Sequence, residues 1–93
     1  MIIGLVTVSL SIPDARSLKD KRSVLRRVKD RARNTMNVSV AEVGKQDYWK
    51  SADLAFVTVA ARGDVVEKRL SEIRKRVLAN PHVVTLDIET ELL

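Results

Sequence analysis

Residues Ile2–Ile12 read I-I-G-L-V-T-V-S-L-S-I, and this stretch predicts the first element of the fold. Alternate residues up to Ile12 are apolar or glycine, whereas the residues between them change from apolar to polar along the chain. A period of two is the pattern of a β-strand with one buried face. The sequence therefore predicts a first strand whose core side is formed by Gly4, Val6, Val8, Leu10 and Ile12.

The next segment has the period of an amphipathic helix. Ser17 is the predicted N-cap, with Asp20 three residues later in a capping-box arrangement. From there to about Thr35, apolar residues recur on one side of a wheel drawn at 100° per residue. The residues on that side are Leu18, Val24, Leu25, Val28, Ala32 and Thr35.

The remaining chain predicts three more strands and a second helix. The second helix begins at Gly63-Asp64 and ends at Asn80, because Pro81 disfavours helical backbone in the residue before it. A polar connection holding Tyr48 and Trp49 precedes the third strand, which is almost continuously apolar and hence central. The predicted strands are Val38–Val43, Leu54–Ala61 and Val83–Glu91, and the connection is Lys45–Asp53.

This order, β-α-β-β-α-β, predicts a single domain over residues 1–93. Right-handed crossovers place both helices on one face of a four-stranded antiparallel sheet, which is the ferredoxin-like α+β sandwich. The predicted core residues are Val6, Val8, Leu25, Val28, Val57, Val59, Leu70, Ile73, Val77 and Leu86.

The composition excludes several classes of site. The 93 residues contain no cysteine, which rules out disulfides, thiolate zinc sites and a thiol nucleophile. The longest apolar run, near Met1–Val6, is too short to span a bilayer and lacks the flanks of a signal peptide. We therefore expect a cytoplasmic protein with no membrane partner.

The first helix concentrates the positive charge. Between Ser17 and Thr35 lie eight basic and two acidic residues, a local net charge of +6 against +5 for the chain. Five basic residues follow a 3-4-3-4 spacing and form one ridge about 21 Å long. A row of this length could neutralise several phosphates, or it could simply keep the protein soluble. The residues of this basic ridge are Lys19, Arg22, Arg26, Lys29 and Arg33.

Lys21 departs from this pattern. Its position lies within the apolar arc, one turn before Leu25. Its side chain could extend past the sheet edge to solvent, or it could pair with a carboxylate such as Glu42. We include Lys21 with the ridge as a candidate nucleic-acid contact.

Three sequence pieces carry a family resemblance. They are S-L-K-D-K-R at Ser17–Arg22, N-V-S-V-A-E-V at Asn37–Val43, and Trp49 followed by Ala52. Together they resemble the YlxP-like family of small bacterial proteins. The resemblance implies the ferredoxin-like fold and a link to translation or ribosome maturation, but no established activity and no catalytic residues. The matching positions are Ser17, Leu18, Lys19, Lys21, Arg22, Glu42 and Trp49.

Catalytic and cofactor chemistry is not indicated. The loop Pro13–Arg16 has no glycine to let backbone amides cradle a phosphate, as an acylphosphatase requires. His82 is the only histidine and has no evident partner. Alternating carboxylates at Asp87, Glu89 and Glu91 are better explained as a charged edge strand than as a metal site. We expect no cofactor and no enzyme activity.

Two main functions remain, and a small hydrolase is a third hypothesis. The preferred hypothesis is a non-enzymatic, RNA- or ribosome-associated protein that uses the basic ridge. The alternative is a homo-oligomeric interaction or regulatory module that forms a homodimer through the open sheet face. Trp49 either closes the edge of the core or, with Tyr48, forms an exposed platform for stacking on bases. The predicted interface residues of the dimer are Leu5, Thr7, Phe56 and Thr58.

Overall fold

A computed structural model describes all residues from Met1 to Leu93. The predicted order of elements is confirmed, and the largest difference in bounds is that the third strand begins at Ser51 rather than Leu54. Neither helix is long and apolar enough to cross a membrane. The elements are β1 (Ile2–Ser11), α1 (Leu18–Thr35), β2 (Ser39–Gly44), β3 (Ser51–Ala60), α2 (Gly63–Ala79) and β4 (Val84–Leu92).

The four strands form one antiparallel sheet in the order β2-β3-β1-β4. β1 and β3 are therefore central, and β2 and β4 are the edges. Both helices bury their apolar sides against one face of this sheet. The ferredoxin-like α+β sandwich is confirmed.

One apolar cluster of 17 buried residues holds the sheet and the helices together. The predicted core side of β1 is confirmed, since Gly4, Val6, Val8, Leu10 and Ile12 are all buried. Leu25 and Val28 enter the cluster from α1, and Leu70, Ile73 and Val77 enter it from α2.

The prediction placed β3 with the wrong face towards the helices. Phe56 pairs with Val6 across the sheet, and Thr58 pairs with Gly4. Paired residues point to the same face, so Phe56 and Thr58 face the helices, where they are 1% and 2% exposed. They cannot belong to an interface on the open sheet face.

The residues of β3 that alternate with Phe56 and Thr58 lie on the open face instead. Val57 and Val59 were expected in the core, but they are 39% and 45% exposed. Because β3 is apolar on both faces, alternation does not choose between them. The polar residues Ser51 and Asp53, which share the parity of Val57, are the sequence signal for the correct choice.

A bulge in β4 changes which residues reach the core. The pairing of β1 with β4 shifts between Ser9 and Leu10, which leaves Leu86 without a partner. An extra residue in one strand reverses the alternation beyond it. Leu86 was expected in the core but is 60% exposed, and Ile88 packs against the core in its place.

Gly4 allows α2 to lie close to the sheet. A Cβ atom at this position would stand 2.6 Å from Val66 Cγ1 and 2.9 Å from Leu70 Cδ2. We expect Gly4→Ala to lower the free energy of unfolding by about 1–3 kcal/mol, because the added methyl group overpacks this contact. Urea denaturation measures it, with Gly63→Ala as the control since that site has open space. Equal stability of Gly4→Ala and the native protein would contradict this packing.

Candidate functional site

Local hydrogen bonds determine where the basic helix begins. Ser17 Oγ accepts a hydrogen bond of 3.1 Å from the backbone N–H of Asp20. The carboxylate of Asp20 in turn accepts one of 3.0 Å from the N–H of Arg16. The predicted N-cap is confirmed, and these two bonds orient the first turn, from which the basic ridge starts.

Four residues of the basic ridge have no carboxylate partner. Lys19, Arg22 and Arg26 are exposed and Lys29 is half-buried, and none of them forms an ion pair. The guanidinium group of Arg33 is already bound within the protein, because its Nη2 donates a hydrogen bond of 2.9 Å to the carbonyl of Val40. The ridge therefore presents a row of cationic groups that the protein itself leaves unneutralised.

Lys21 lies inside the protein. Its side chain is 1% exposed, and Nζ donates to the carbonyls of Lys45 and Tyr48 over 2.7 and 2.8 Å. Nζ also lies 2.7 Å from Glu42 Oε2, in an ion pair that lacks the alignment of a hydrogen bond. The alternative that Lys21 pairs with Glu42 is confirmed. Lys21 does not extend to solvent and cannot contact a nucleic acid, contrary to its inclusion with the ridge.

These contacts fasten the β2–β3 connection, residues 45–50, to the first turn of α1. Lys45 has a φ angle of 60°, the only positive φ in the chain, and its carbonyl is one of the acceptors of Lys21. The other end of the connection is held by a hydrogen bond of 2.8 Å from Ile12 N–H to the carbonyl of Lys50. We call residues 45–50 the aromatic loop.

The aromatic loop displays its two rings to solvent. Tyr48 is 62% exposed and Trp49 is 53% exposed. Trp49 therefore does not close the edge of the core. Since Lys21 binds the carbonyl of Tyr48, the loop is held against the first turn of α1, the turn that also carries Lys19.

The open sheet face has a different character. Leu5 and Thr7 lie there as predicted, both half-buried, next to the exposed Val57 and Val59. The carboxylates of β4 flank this apolar strip, because Asp87, Glu89 and Glu91 pair with Ser9, Thr7 and Leu5 on the same face. These three carboxylates do not form a group that could hold a metal ion.

Sequence reasoning missed a cavity between the two helices. It has a volume of about 250 Å³ and lies between α1 and the C-terminal half of α2. Periodicity shows which side of each helix is buried but not how far apart two helices lie, so no pattern predicts this space. The one available signal is that Arg27 and Arg31 lie on α1 but off the basic ridge.

The sequence model of a family described as "Protein of unknown function (DUF503)" matches residues 3–90. The chain belongs to this family. A DUF503 relative, the "Uncharacterized protein YlxP" of Bacillus subtilis (strain 168), is 33% identical over 90 residues, which cover 97% of this chain and 98% of the relative. The resemblance to the YlxP-like family is confirmed.

Two designed proteins have similar structures. A de novo designed protein with a ferredoxin fold, solved by NMR, matches with a TM-score of 0.57 at 15% identity, over 99% of this chain and 85% of its own. The designed protein Foldit4 matches with a TM-score of 0.55 at 8% identity, over 100% of this chain and 97% of its own. At these identities the likeness shows the fold of the DUF503 chain and nothing about its function.

Proposed function

We propose that this DUF503 protein is a non-enzymatic RNA-binding protein that associates with structured or ribosomal RNA. The observation that carries the proposal is the juxtaposition of the basic ridge with the aromatic loop. Lys19, Arg22, Arg26 and Lys29 have no carboxylate partner, and Tyr48 and Trp49 are exposed on the loop that Lys21 fastens to the first turn of α1.

The two parts of this surface suit two parts of an RNA. Guanidinium and ammonium groups on a ridge contact backbone phosphates, which gives affinity without sequence preference. Exposed aromatic rings stack on unpaired bases, which RNA supplies in loops and bulges. The RNA that fits is a duplex with an adjacent unpaired segment, placed with its phosphates on the ridge and a base on Tyr48 or Trp49.

Comparison of the two helices supports a binding role for the ridge. On α2, Arg76 Nε lies 2.9 Å from Glu72 Oε1, one turn earlier, as is common on a solvated helix face. Each helix has one intrahelical ion pair, and on α1 it joins Arg33 and Asp30 over 3.8 Å. The helices differ in charge balance, since α1 carries eight basic and two acidic residues and α2 carries five and three. A surface that serves solubility alone has no need of one sign of charge in a row.

The proposal predicts strongly salt-dependent binding. A labelled RNA hairpin should bind the native protein with an affinity that falls by a slope of about −3 to −4 in log K against log salt, because four ridge cations release counterions. Fluorescence anisotropy titrations between about 50 and 200 mM salt measure this slope. Absence of binding, or an affinity independent of salt, would contradict the proposal.

A homodimer through the open sheet face is the second candidate. The apolar strip formed by Leu5, Val57 and Val59 lies in the middle of this face. A two-fold axis parallel to the strands would place each acidic β4 opposite the partner's β2 edge, which carries no carboxylate on the open face. The charges therefore permit a second copy as the occupant of the strip.

The dimer hypothesis predicts that a charge introduced on the open sheet face lowers the molecular mass of the protein in solution. Leu5→Glu or Val57→Glu should convert a dimer to a monomer in sedimentation equilibrium, because the introduced carboxylate would be buried unpaired in the interface. Lys68→Glu on the exposed side of α2 is the control and should remain dimeric. A native protein that sediments as a monomer at high micromolar concentration would eliminate this candidate.

A further inference from the structure

We propose that the cavity between α1 and α2 binds a small amphipathic anion, an apolar chain that ends in a carboxylate or a phosphate. This site lies on the side of α1 opposite the basic ridge, and it extends beyond the proposed function. The cavity has two adjoining compartments, one apolar and one polar, which share Arg31, Asn80 and Pro81.

The apolar compartment would hold the chain of the ligand. Its volume is about 250 Å³, and eight of its twelve lining residues are hydrophobic. Val28 and Ala32 form the α1 side, Ile73 and Val77 form the α2 side, and Phe56 contributes from the sheet. The space opens to solvent, since Ala79 in its lining is exposed. An apolar chain in this space would remove the apolar lining from water, which is favourable.

The polar compartment would hold the anionic end. It has a volume of about 120 Å³ and is lined by Arg27, Arg31 and His82 among six residues. No carboxylate lines either compartment, and neither arginine forms an ion pair. Guanidinium groups bind carboxylates and phosphates through paired, charge-assisted hydrogen bonds. The charge at this end therefore selects an anion over a neutral or cationic ligand.

The size of the space favours a small molecule over a peptide. Small-molecule pockets have volumes of about 300–1,000 Å³, and the apolar compartment of about 250 Å³ lies just below that range. One turn of helix, about 10 Å across and about 5.4 Å long, has a volume of about 400 Å³, which exceeds the volume of this space. A single unbranched chain with an anionic end fits the shape and the charge together.

Calorimetric titration of the full chain with four probes, each below its micelle concentration, tests the proposal. Decanoate and decyl phosphate should bind one to one, decanol should bind at least about tenfold more weakly, and decylamine should not bind, because the arginines contribute charge-assisted bonds. Tighter binding of decyl phosphate identifies a phosphate ester as the ligand class, and tighter binding of decanoate identifies a fatty acid. Equal affinity for decanoate and decanol, or no binding of either anion, would overturn the proposal.

Variants locate the binding in the cavity. Arg31→Gln should weaken decanoate binding about tenfold. Ala79→Phe should abolish it, because Ala79 is an exposed residue of the cavity lining and a phenyl ring at this position would occupy the apolar compartment. Arg22→Gln, on the basic ridge, is the control and should bind decanoate like the native protein. Arg31 is also exposed, so its variant keeps the test valid if Ala79→Phe does not fold. Native-like affinity in Arg31→Gln would overturn the assignment of the anionic end.

Discussion

Lys21→Ala is expected to lower the free energy of unfolding by about 3 kcal/mol. The variant leaves the carboxylate of Glu42, whose side chain is 19% exposed, without its cation. It also removes the donor to the carbonyls of Lys45 and Tyr48. Removal of one partner from a buried ion pair costs about 3–5 kcal/mol, and the partial exposure of Glu42 places the expected value at the lower end.

Urea denaturation of three variants separates this effect from a general loss of charge. Lys19→Ala removes an exposed lysine from the same helical turn and should change stability by no more than about 0.5 kcal/mol. The double variant Lys21→Ala, Glu42→Gln should recover part of the loss, because no buried charge then remains unpaired. If Lys21→Ala were as stable as Lys19→Ala, the internal role of Lys21 would be wrong.

Arg22→Glu combined with Arg26→Glu should weaken binding to an RNA hairpin about a hundredfold at low salt. Each arginine is expected to supply one charge-assisted contact to phosphate of about 1.5 kcal/mol, and reversal adds repulsion. The salt slope should flatten by about two, since two fewer counterions are released. The melting temperature should stay nearly unchanged, because both side chains are exposed on α1 beside its buried stripe.

A matched control excludes a trivial effect of net charge. Lys68→Glu combined with Lys75→Glu changes the charge of the protein by the same amount on α2, where both lysines are exposed and form no ion pair. This control should lose several-fold less affinity than the α1 variant. Equal losses would assign the binding to long-range attraction. The dimer hypothesis instead predicts that the α1 variant keeps its partner and loses only nonspecific affinity for polyanions.

The parts of the fold that the sequence predicts are those with polar residues on one face. In β1, Thr7, Ser9 and Ser11 identify the open face, and the core side follows. In β3, the predicted strand was taken to begin after Asp53, so the polar positions that distinguish the two faces lay outside it. The resulting assignment placed Phe56 and Thr58 on the open face, whereas they belong to the core.

The other differences between the prediction and the structure depend on contacts between residues that are far apart in the sequence. The bulge that exposes Leu86 depends on the pairing of β4 with β1, which no local pattern encodes. The position of Lys21 within the apolar arc of α1 left two outcomes open, extension past the sheet edge to solvent or an ion pair with Glu42, and the structure shows the ion pair. The carbonyls of Lys45 and Tyr48 were not predicted, because they depend on how the aromatic loop folds back over α1.

The basic ridge and the aromatic loop together are proposed to form an RNA-binding surface. Mapping of backbone amide resonances by NMR during titration with an RNA hairpin at physiological salt tests whether RNA binds there. We predict that the shifted amides concentrate in residues 19–33 of α1 and 45–50 of the aromatic loop. Shifts confined to β1, β3 and the open sheet face, or no shifts at all, would contradict it.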